Sequence, residues 1–440
     1  MLDMAAMIQT ISTLGTRRRA FCAAIISPAW GTRVTGLALL ALVSACKKQP
    51  GAALAQAAPA QKAAAVGGPS ASVVRSSDAS AADARPTPQP PAAPCLDVVG
   101  GREPALPDLL EQAGRDFEKG RYEDALECAR EANRIDGNSV AAHHFRGAAL
   151  AEMGHVEEAR TAYARALALD PDDPEVLRSV ADLHVRRLGA RDDLELALQY
   201  VHRALTRALR GKDKPLLKEL YLLQAMALDD LGRPGEALGA ATRSVEYDPK
   251  DREARREKGV ALFELCRFDQ SKAELARLAT EEPDAWAEHY LGLIAERAQD
   301  DVAAAAHFAR AQKLDPEAFK ASAPAPSSMF QRVVQEEVEK LPPEIKQGLA
   351  RSNFAVEDLP EVSDLVATDP PLSPGILGLF RPPAEGASPE ARPTILLYRR
   401  NLARAAHNED ELHREVRDTL MHEVGHLNGE DDEQLRDRGL

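Results

Sequence analysis

The strongest constraint on this 440-residue chain is a period. Ile135-Asp136, Leu169-Asp170-Pro171, Tyr247-Asp248-Pro249, Glu281-Glu282-Pro283 and Leu314-Asp315-Pro316 repeat one punctuation, with the acidic residues 34, 78, 34 and 33 positions apart. The interval of 78 is two periods of 34 plus an insertion of ten, which gives six units between Leu106 and about Phe319. A period of this length marks stacked units, none of which can bury its apolar face alone. Small residues recur in register: Gly147, Gly154, Ala159 and Ala166 in the second unit, Ala225, Gly232, Ala237 and Ala241 in the fourth, Gly292, Ala304 and Ala311 in the sixth. They let two antiparallel helices approach closely, while larger apolar residues fill the space between units and Pro stops the second helix.

Over residues 105–319 this pattern resembles the tetratricopeptide repeat family, with His143 and Arg255 where that family commonly has Trp. The resemblance implies an all-α solenoid whose concave face takes extended or helical peptides, hence a protein partner. The plainer alternative is a spacer. The insertion, around Arg207 to Pro215, is predicted to lengthen the second helix of the third unit. Cys128 and Cys266 fall in helix patterns and read as core or near-surface thiols. The array's histidines (143, 144, 155, 184, 202, 289 and 307) show no ligand spacing and read as structural or surface residues.

The first 45 residues read as an address. Arg17, Arg18, Arg19 and Arg33 precede an apolar run from Val34 to Val43, the length of a signal-peptide core and too short to span a bilayer. The run ends Val43-Ser44-Ala45-Cys46, which resembles the lipobox of bacterial lipoproteins. That resemblance implies cleavage before Cys46, lipidation of its thiol, and a cell-envelope lipoprotein. Lys47 follows where an Asp would retain it at the inner membrane, so the expected place is the outer membrane, facing the periplasm. Residues 46–104 are rich in Ala, Pro, Gln and Ser and form a tether, with a reach of roughly 40–45 Å. Cys95 lies in the tether and reads as an incidental thiol, able to pair between chains in an oxidising compartment.

Charge and composition exclude other classes. The net charge is −14, and loss of residues 1–45, with four Arg and one Asp, makes it −17. Phosphate binding needs a basic surface, so no nucleic-acid partner is expected. A chain this acidic is not drawn to an anionic membrane either, so acyl chains on Cys46 would have to hold it there. Five cysteines without a CxxC pair exclude a disulfide scaffold and a cysteine-based zinc ribbon.

A second Pro/Ser/Ala break, residues 320–328, separates the array from residues 329–440. Four of the eleven histidines fall in the last 34 residues. Asn408 and Glu411 read as a capping box, and Leu412, Val416, Leu420, Val424 and Leu427 continue at helical spacing. On that helix His422 and His426 are one turn apart and can reach one zinc ion. Glu423 lies about 100° round the helix, off the ligand line but within reach of a zinc-bound water. Gly429 can take the left-handed conformation that reverses the chain, and Asp432 follows His426 by six residues. The predicted site is therefore Zn2+ on His422, His426 and Asp432 with Glu423 as general base; Asp431 and Glu433 are the other candidates for the third ligand. His407 and His413 read as surface residues.

The string His-Glu-x-x-His-x-x-Gly-x-x-Asp has metzincin-type spacing, with Asp where a third His is more usual. The domain as a whole resembles the small zincin-like metallopeptidases, sometimes called minimal zincins. The residues carrying this are Phe330 to Val334 into Leu341-Pro342, Ile376 to Phe380, Pro393 to Arg400, and the motif itself. The resemblance implies a small α+β fold and hydrolysis of peptide bonds. Thr394 to Tyr398 is predicted to be a strand, and the resemblance puts it beside the metal helix with substrate backbone on its edge. Tyr398 is one candidate oxyanion donor, against the plainer reading of a strand tyrosine. The expected function is an envelope-anchored zinc metallopeptidase whose repeats recruit protein partners or substrates. The alternative is a non-catalytic binding scaffold with a structural or inactive zinc site.

Overall fold

In the computed structural model the described residues are Cys95, 104–383, 386, 388, 390–431 and 434–435. The leader, Cys46, almost all of the tether, Asp432 and Glu433 lie outside them.

Twelve helices pair in sequence: α1 (Leu106–Glu118), α2 (Tyr122–Ile135), α3 (Val140–Glu152), α4 (Val156–Leu169), α5 (Pro174–Leu183), α6 (Arg191–Gly211), α7 (Lys214–Asp230), α8 (Pro234–Tyr247), α9 (Arg252–Glu264), α10 (Phe268–Glu281), α11 (Ala285–Arg297) and α12 (Asp301–Leu314). The acidic punctuation has a direct physical role. Asp136, Asp170 and Asp248 end second helices, and each carboxylate accepts from the amide two residues on. Three positions later Ser139, Asp173 and Asp251 cap the next first helix by accepting from its N–H groups. Within units, a Cβ on Gly147, Gly259 or Gly292 would come within 2.6 Å of Tyr163, Leu275 or Phe308, so glycine is what lets each pair close. As predicted, α6 is long, 21 residues, and a π-helical turn at His184–Leu188 leads into it.

Two cysteine expectations are corrected. Cys95 and Cys128 form a disulfide within the chain, Cα–Cα 4.9 Å. Cys95 also packs against the apolar cluster of Leu109, Ala132 and Ala142, which brings the end of the tether onto the first unit. Cys266 is free but sits in the turn between α9 and α10, with a positive φ of 58°, rather than inside a helix.

The C-terminal domain continues with α13 (Ser327–Lys340), α14 (Pro343–Ala350), β1 (Asn353–Glu357), α15 (Val362–Leu365), β2 (Gly378–Arg381), β3 (Thr394–Tyr398), α16 (Arg399–Ala405) and α17 (Glu409–Leu427). The sheet order is β1-β3-β2, with β1 parallel and β2 antiparallel to β3. Ile395 and Leu397 of β3 face a core made by Phe330 and Val333 of α13 and by Leu412, Val416, Leu420 and Val424 of α17. Leu396 and Tyr398 face the other way, into a cluster with Leu365, Leu372, Ile376 and Leu379. A strand buried on both faces reads as a continuous apolar run, as Ile395 to Tyr398 does.

Residues 94–440 belong to one compact unit, and the last repeats grip the C-terminal domain directly. Arg297 donates to the Pro360 carbonyl (2.7 Å). Arg400 bonds Asp301 (2.6 Å) and Glu296 (3.3 Å), and Arg404 also donates to Glu296. Glu264 hydrogen-bonds Ser373, and burial pushes its carboxyl up to about 7. Between the ordinary carboxylate range and that value, the native chain holds a proton that the unfolded chain gives up. Stability is therefore lost as pH rises through that window. Relative to the wild type, Glu264→Gln should therefore gain stability as pH rises from 4.5 to 8. Urea midpoints across that range test this, and parallel curves for the two proteins would refute it.

Candidate metal centre

The predicted capping of α17 is present. Asn408 Oδ1 accepts from the Glu411 amide (2.9 Å), and the Glu411 carboxylate accepts from the His407 amide (2.8 Å). Leu412, Val416, Leu420 and Val424 are fully buried, and they set the rotation of the helix. With His422 taken as origin, a turn of 100° per residue puts His426 at about 40°, Thr419 at about 60° and Glu423 at about 100°. Val416 and Leu420 follow at about 120° and about 160°. Glu423 thus lies on the core side of the helix, and it is fully buried. A carboxylate on an apolar arc is costly and points to function rather than packing.

The two imidazoles are adjacent, ring centroids 4.6 Å apart and inclined at 75°. Both are almost fully buried. His426 Nδ1 faces the Glu430 carbonyl at 3.0 Å, which makes Nδ1 the donor and Nε2 the acceptor nitrogen of the ring. The chain reverses for this contact at Gly429, whose φ is +88°, as predicted. The Glu430 amide closes the turn on the Gly425 carbonyl (3.1 Å). Asp431 then caps a short turn: its Oδ1 accepts from the Gln434 amide, and Gln434 Oε1 accepts from the Asp431 amide, both at 2.9 Å. Leu435 is held over Gly425, where a Cβ would lie 2.3 Å from its methyl.

Two neutral nitrogen donors and an adjacent carboxylate suit zinc. Among the described residues no group of three His, Cys, Asp or Glu side chains is assembled to hold a metal ion. Asp432 and Glu433 are not among those residues. Upstream, Glu415 and Asp418 share the side of His422. Burial raises both, Glu415 to about 7, which favours their neutral forms.

Gly378 opens β2 directly beside Glu423. A Cβ there would lie 2.9 Å from Glu423 Oε1 and 2.7 Å from Thr419 Cγ2, so the missing side chain makes the room in which the carboxylate sits. This corrects the expectation for Thr394 to Tyr398. Both edges of β3 are taken, by β1 and β2, so it offers no edge to a substrate. Among the described residues β2 pairs with β3 alone, so the edge strand beside α17 is β2. In the sequence, Ile376 to Phe380 enters only as one of the segments that carry the family resemblance; the glycine inside it is the available signal.

Tyr398 takes the plainer reading of a strand tyrosine, although Glu423 is among the charges its phenol senses. Its ring packs among Leu365, Leu372 and Ile376 on the sheet face away from the α17 core, and burial pushes its phenol well above the usual range. His413 is held between helices by Glu337 of α13 (2.7 Å). It is neither a ligand nor a simple surface residue.

Comparison with known proteins agrees with this division of the chain. Residues 349–440 match the family model of zincin-like metallopeptidases, and residues 116–183 and 230–297 match that of the tetratricopeptide repeat. The chain carries tetratricopeptide repeats and a C-terminal zincin-like domain. No curated protein matches it. Among solved structures, Pseudomonas aeruginosa pilF is 17% identical over 52% of this chain and 97% of its own, with a TM-score of 0.42. The type IV pilus biogenesis factor PilW is 16% identical over 53% of this chain and 100% of its own, TM-score 0.43. YrrB, a repeat protein described as having an unusual peptide-binding site, is 21% identical over 44% and 94%, TM-score 0.35.

The cradle around Glu423 is sensitive to one methyl group. Gly378→Ala should cost about 1–3 kcal/mol by overpacking against Thr419 and Glu423. Chemical denaturation of the full chain measures this; an unchanged midpoint would mean that the carboxylate does not depend on that space.

Proposed function

We propose that the zincin-like domain is a zinc-dependent peptidase, that the repeats bring protein substrates or partners to it, and that lipid on Cys46 holds the chain at a bacterial cell envelope. The observation carrying the peptidase reading is the buried Glu423, set between the arc of His422 and His426 and the edge strand β2. A structural zinc site has no use for a buried carboxylate that lies off the ligand line.

In this reading His422, His426 and Asp432 hold the metal. The Asp431 carboxylate is already engaged in capping Gln434, which favours Asp432 over its neighbour. Bound there, zinc polarises a peptide carbonyl and makes water nucleophilic near neutral pH. The chain's own residues do the rest. As the edge strand of the sheet, β2 is the one that would pair with the extended backbone of the substrate, which positions a peptide bond without close reading of side chains. Glu423 takes the proton from the attacking water and delivers it to the departing amine. Its buried setting, shared with Thr419 and Gly378, keeps bulk water from competing for that proton.

The Cys95–Cys128 disulfide supports the envelope assignment, because such bonds persist in oxidising compartments. Among the described residues no helix is long and apolar enough to cross a membrane, so lipid on Cys46 would supply the attachment.

The test is cleavage of an unbiased peptide mixture, read by mass spectrometry, for the wild type and Glu423→Gln at matched zinc content. New termini made only by the wild type are expected, with a loss of at least about 100-fold in the variant. Identical traces would favour the scaffold reading. His422→Ala or His426→Ala should abolish stoichiometric zinc and lower the stability of the domain, since metal binding is coupled to folding. Asp432→Asn should weaken zinc about 10–100-fold more than Asp431→Asn does, and equal affinities in competition with a chelator would refute the ligand assignment.

A further inference from the structure

We propose that Glu296, Arg404 and Asn401 are positioning residues, through which the repeat array sets the strand β2 that lies beside Glu423. The proposal rests on the peptidase reading for the use of that strand, but not for its structural content. β2 has only four residues and pairs on one side, with β3. A strand this short is not held by its own ladder. Its entry segment, residues 372–377, is fixed by other groups. The Leu372 amide bonds the Leu365 carbonyl (2.8 Å), and the Leu377 carbonyl accepts from the Tyr398 amide (2.9 Å). Between them, Asn401 Nδ2 donates to the carbonyls of Pro374 (3.0 Å) and Ile376 (2.6 Å).

A carboxamide works as such a clip in one orientation only, with its nitrogen toward the two carbonyls and its oxygen away from them. Arg404 enforces that orientation. It carries donors alone, and it donates to Asn401 Oδ1. Arg404 is itself buried, and a buried guanidinium needs an anionic partner. Glu296 of α11, in the last repeat, provides it. The sequence of contacts therefore runs from the array to Arg404, to Asn401, to the carbonyls of Pro374 and Ile376, and then to Gly378 against Glu423. One residue, Leu377, separates the last clipped carbonyl from the glycine whose missing Cβ accommodates the carboxylate.

The repeats are thus part of the catalytic apparatus as well as a means of recruitment. Where they are docked, the strand offered to substrate is held in register. Where the Glu296–Arg404 contact opens, the clip loses its orientation.

The experiment uses the full, zinc-loaded chain and three variants. Asn401→Asp keeps the contact with Arg404 but cannot donate to the two carbonyls. Arg404→Met removes the orienting donor, while Arg400 still pairs with Glu296. Asp301→Asn breaks an interdomain ion pair that does not touch Asn401. Amide hydrogen exchange of residues 376–381 should speed up roughly tenfold in the first two variants and not in Asp301→Asn, with α10 and α13 unchanged. On any peptide that the wild type cleaves, KM should rise about five- to tenfold in the first two, with kcat within about twofold. Unchanged exchange at 376–381 in Asn401→Asp overturns the proposal. Faster exchange spread across α13 and α17 also overturns it, since that would report loss of the domain and not of strand position. If the wild type cleaves nothing but the local exchange difference is present, the positioning chain stands and the peptidase reading falls by itself.

Discussion

Four fully buried side chains on α17, Leu412, Val416, Leu420 and Val424, fix the rotation of one helix, and the candidate chemistry follows from that rotation. The apolar arc faces α13 and the sheet. His422 and His426 are placed at its margin and Glu423 within it. Any slip of the helix by one residue would move every side chain by about 100° and exchange the roles of these positions. The core also explains why the carboxylate is tolerated: the sheet meets it with Gly378, the one residue type with no Cβ to fill its space. Packing and chemistry here are one constraint, since the same contacts that stabilise the domain aim the site.

The contact between the repeats and this domain has a different character. It is built from charge: Glu296 with Arg400 and Arg404, Arg400 with Asp301, and Arg297 with the Pro360 carbonyl. Burying Arg404 without Glu296 would leave an uncompensated cation, so the pairing specifies how the two parts fit more than it stabilises them. A recruitment module on a flexible connection would need no such match. The sequence pattern at residues 320–328 reads as a break, yet Ala323 is buried and its amide lies near the carbonyls of Ala403 and Ala406.

What was legible in the sequence were the features that are local and repeated. The period showed the array because Asp170 and Asp173, and again Asp248 and Asp251, perform the same capping task. The motif showed the histidines because a helix of known period converts spacing into direction. The features that were missed depend on partners distant in sequence. Whether Thr394 to Tyr398 is a central or an edge strand depends on Asn353 to Glu357 and Gly378 to Arg381 pairing on both sides, which no window around the strand contains. Cys128 looked like a core thiol because helix periodicity placed it inward. Its partner lies 33 residues upstream in a segment whose composition reads as tether. The Glu296–Arg404 pair spans 108 residues between two domains, and neither side chain stands out where it occurs.

Docking also divides the array by use. Alternate helices α1, α3, α5, α7, α9 and α11 form successive neighbours along it. Residues of the last three of these, including Glu257, Phe263, Trp286 and Tyr290, face Pro374, Asn401 and Arg404 of the C-terminal domain. Between the two sides lies a cleft of about 890 Å³, counting the solvent at its mouth. That stretch of the inner face already serves the chain's own domain. A partner bound along α1, α3 and α5 leaves the Glu296–Arg404 contact untouched, whereas one that reaches α9 and α11 meets the groups that orient Asn401. In the proposed reading, recruitment and strand position would be separable at one end of the array and coupled at the other, so that the place where a partner binds decides which of the two it affects.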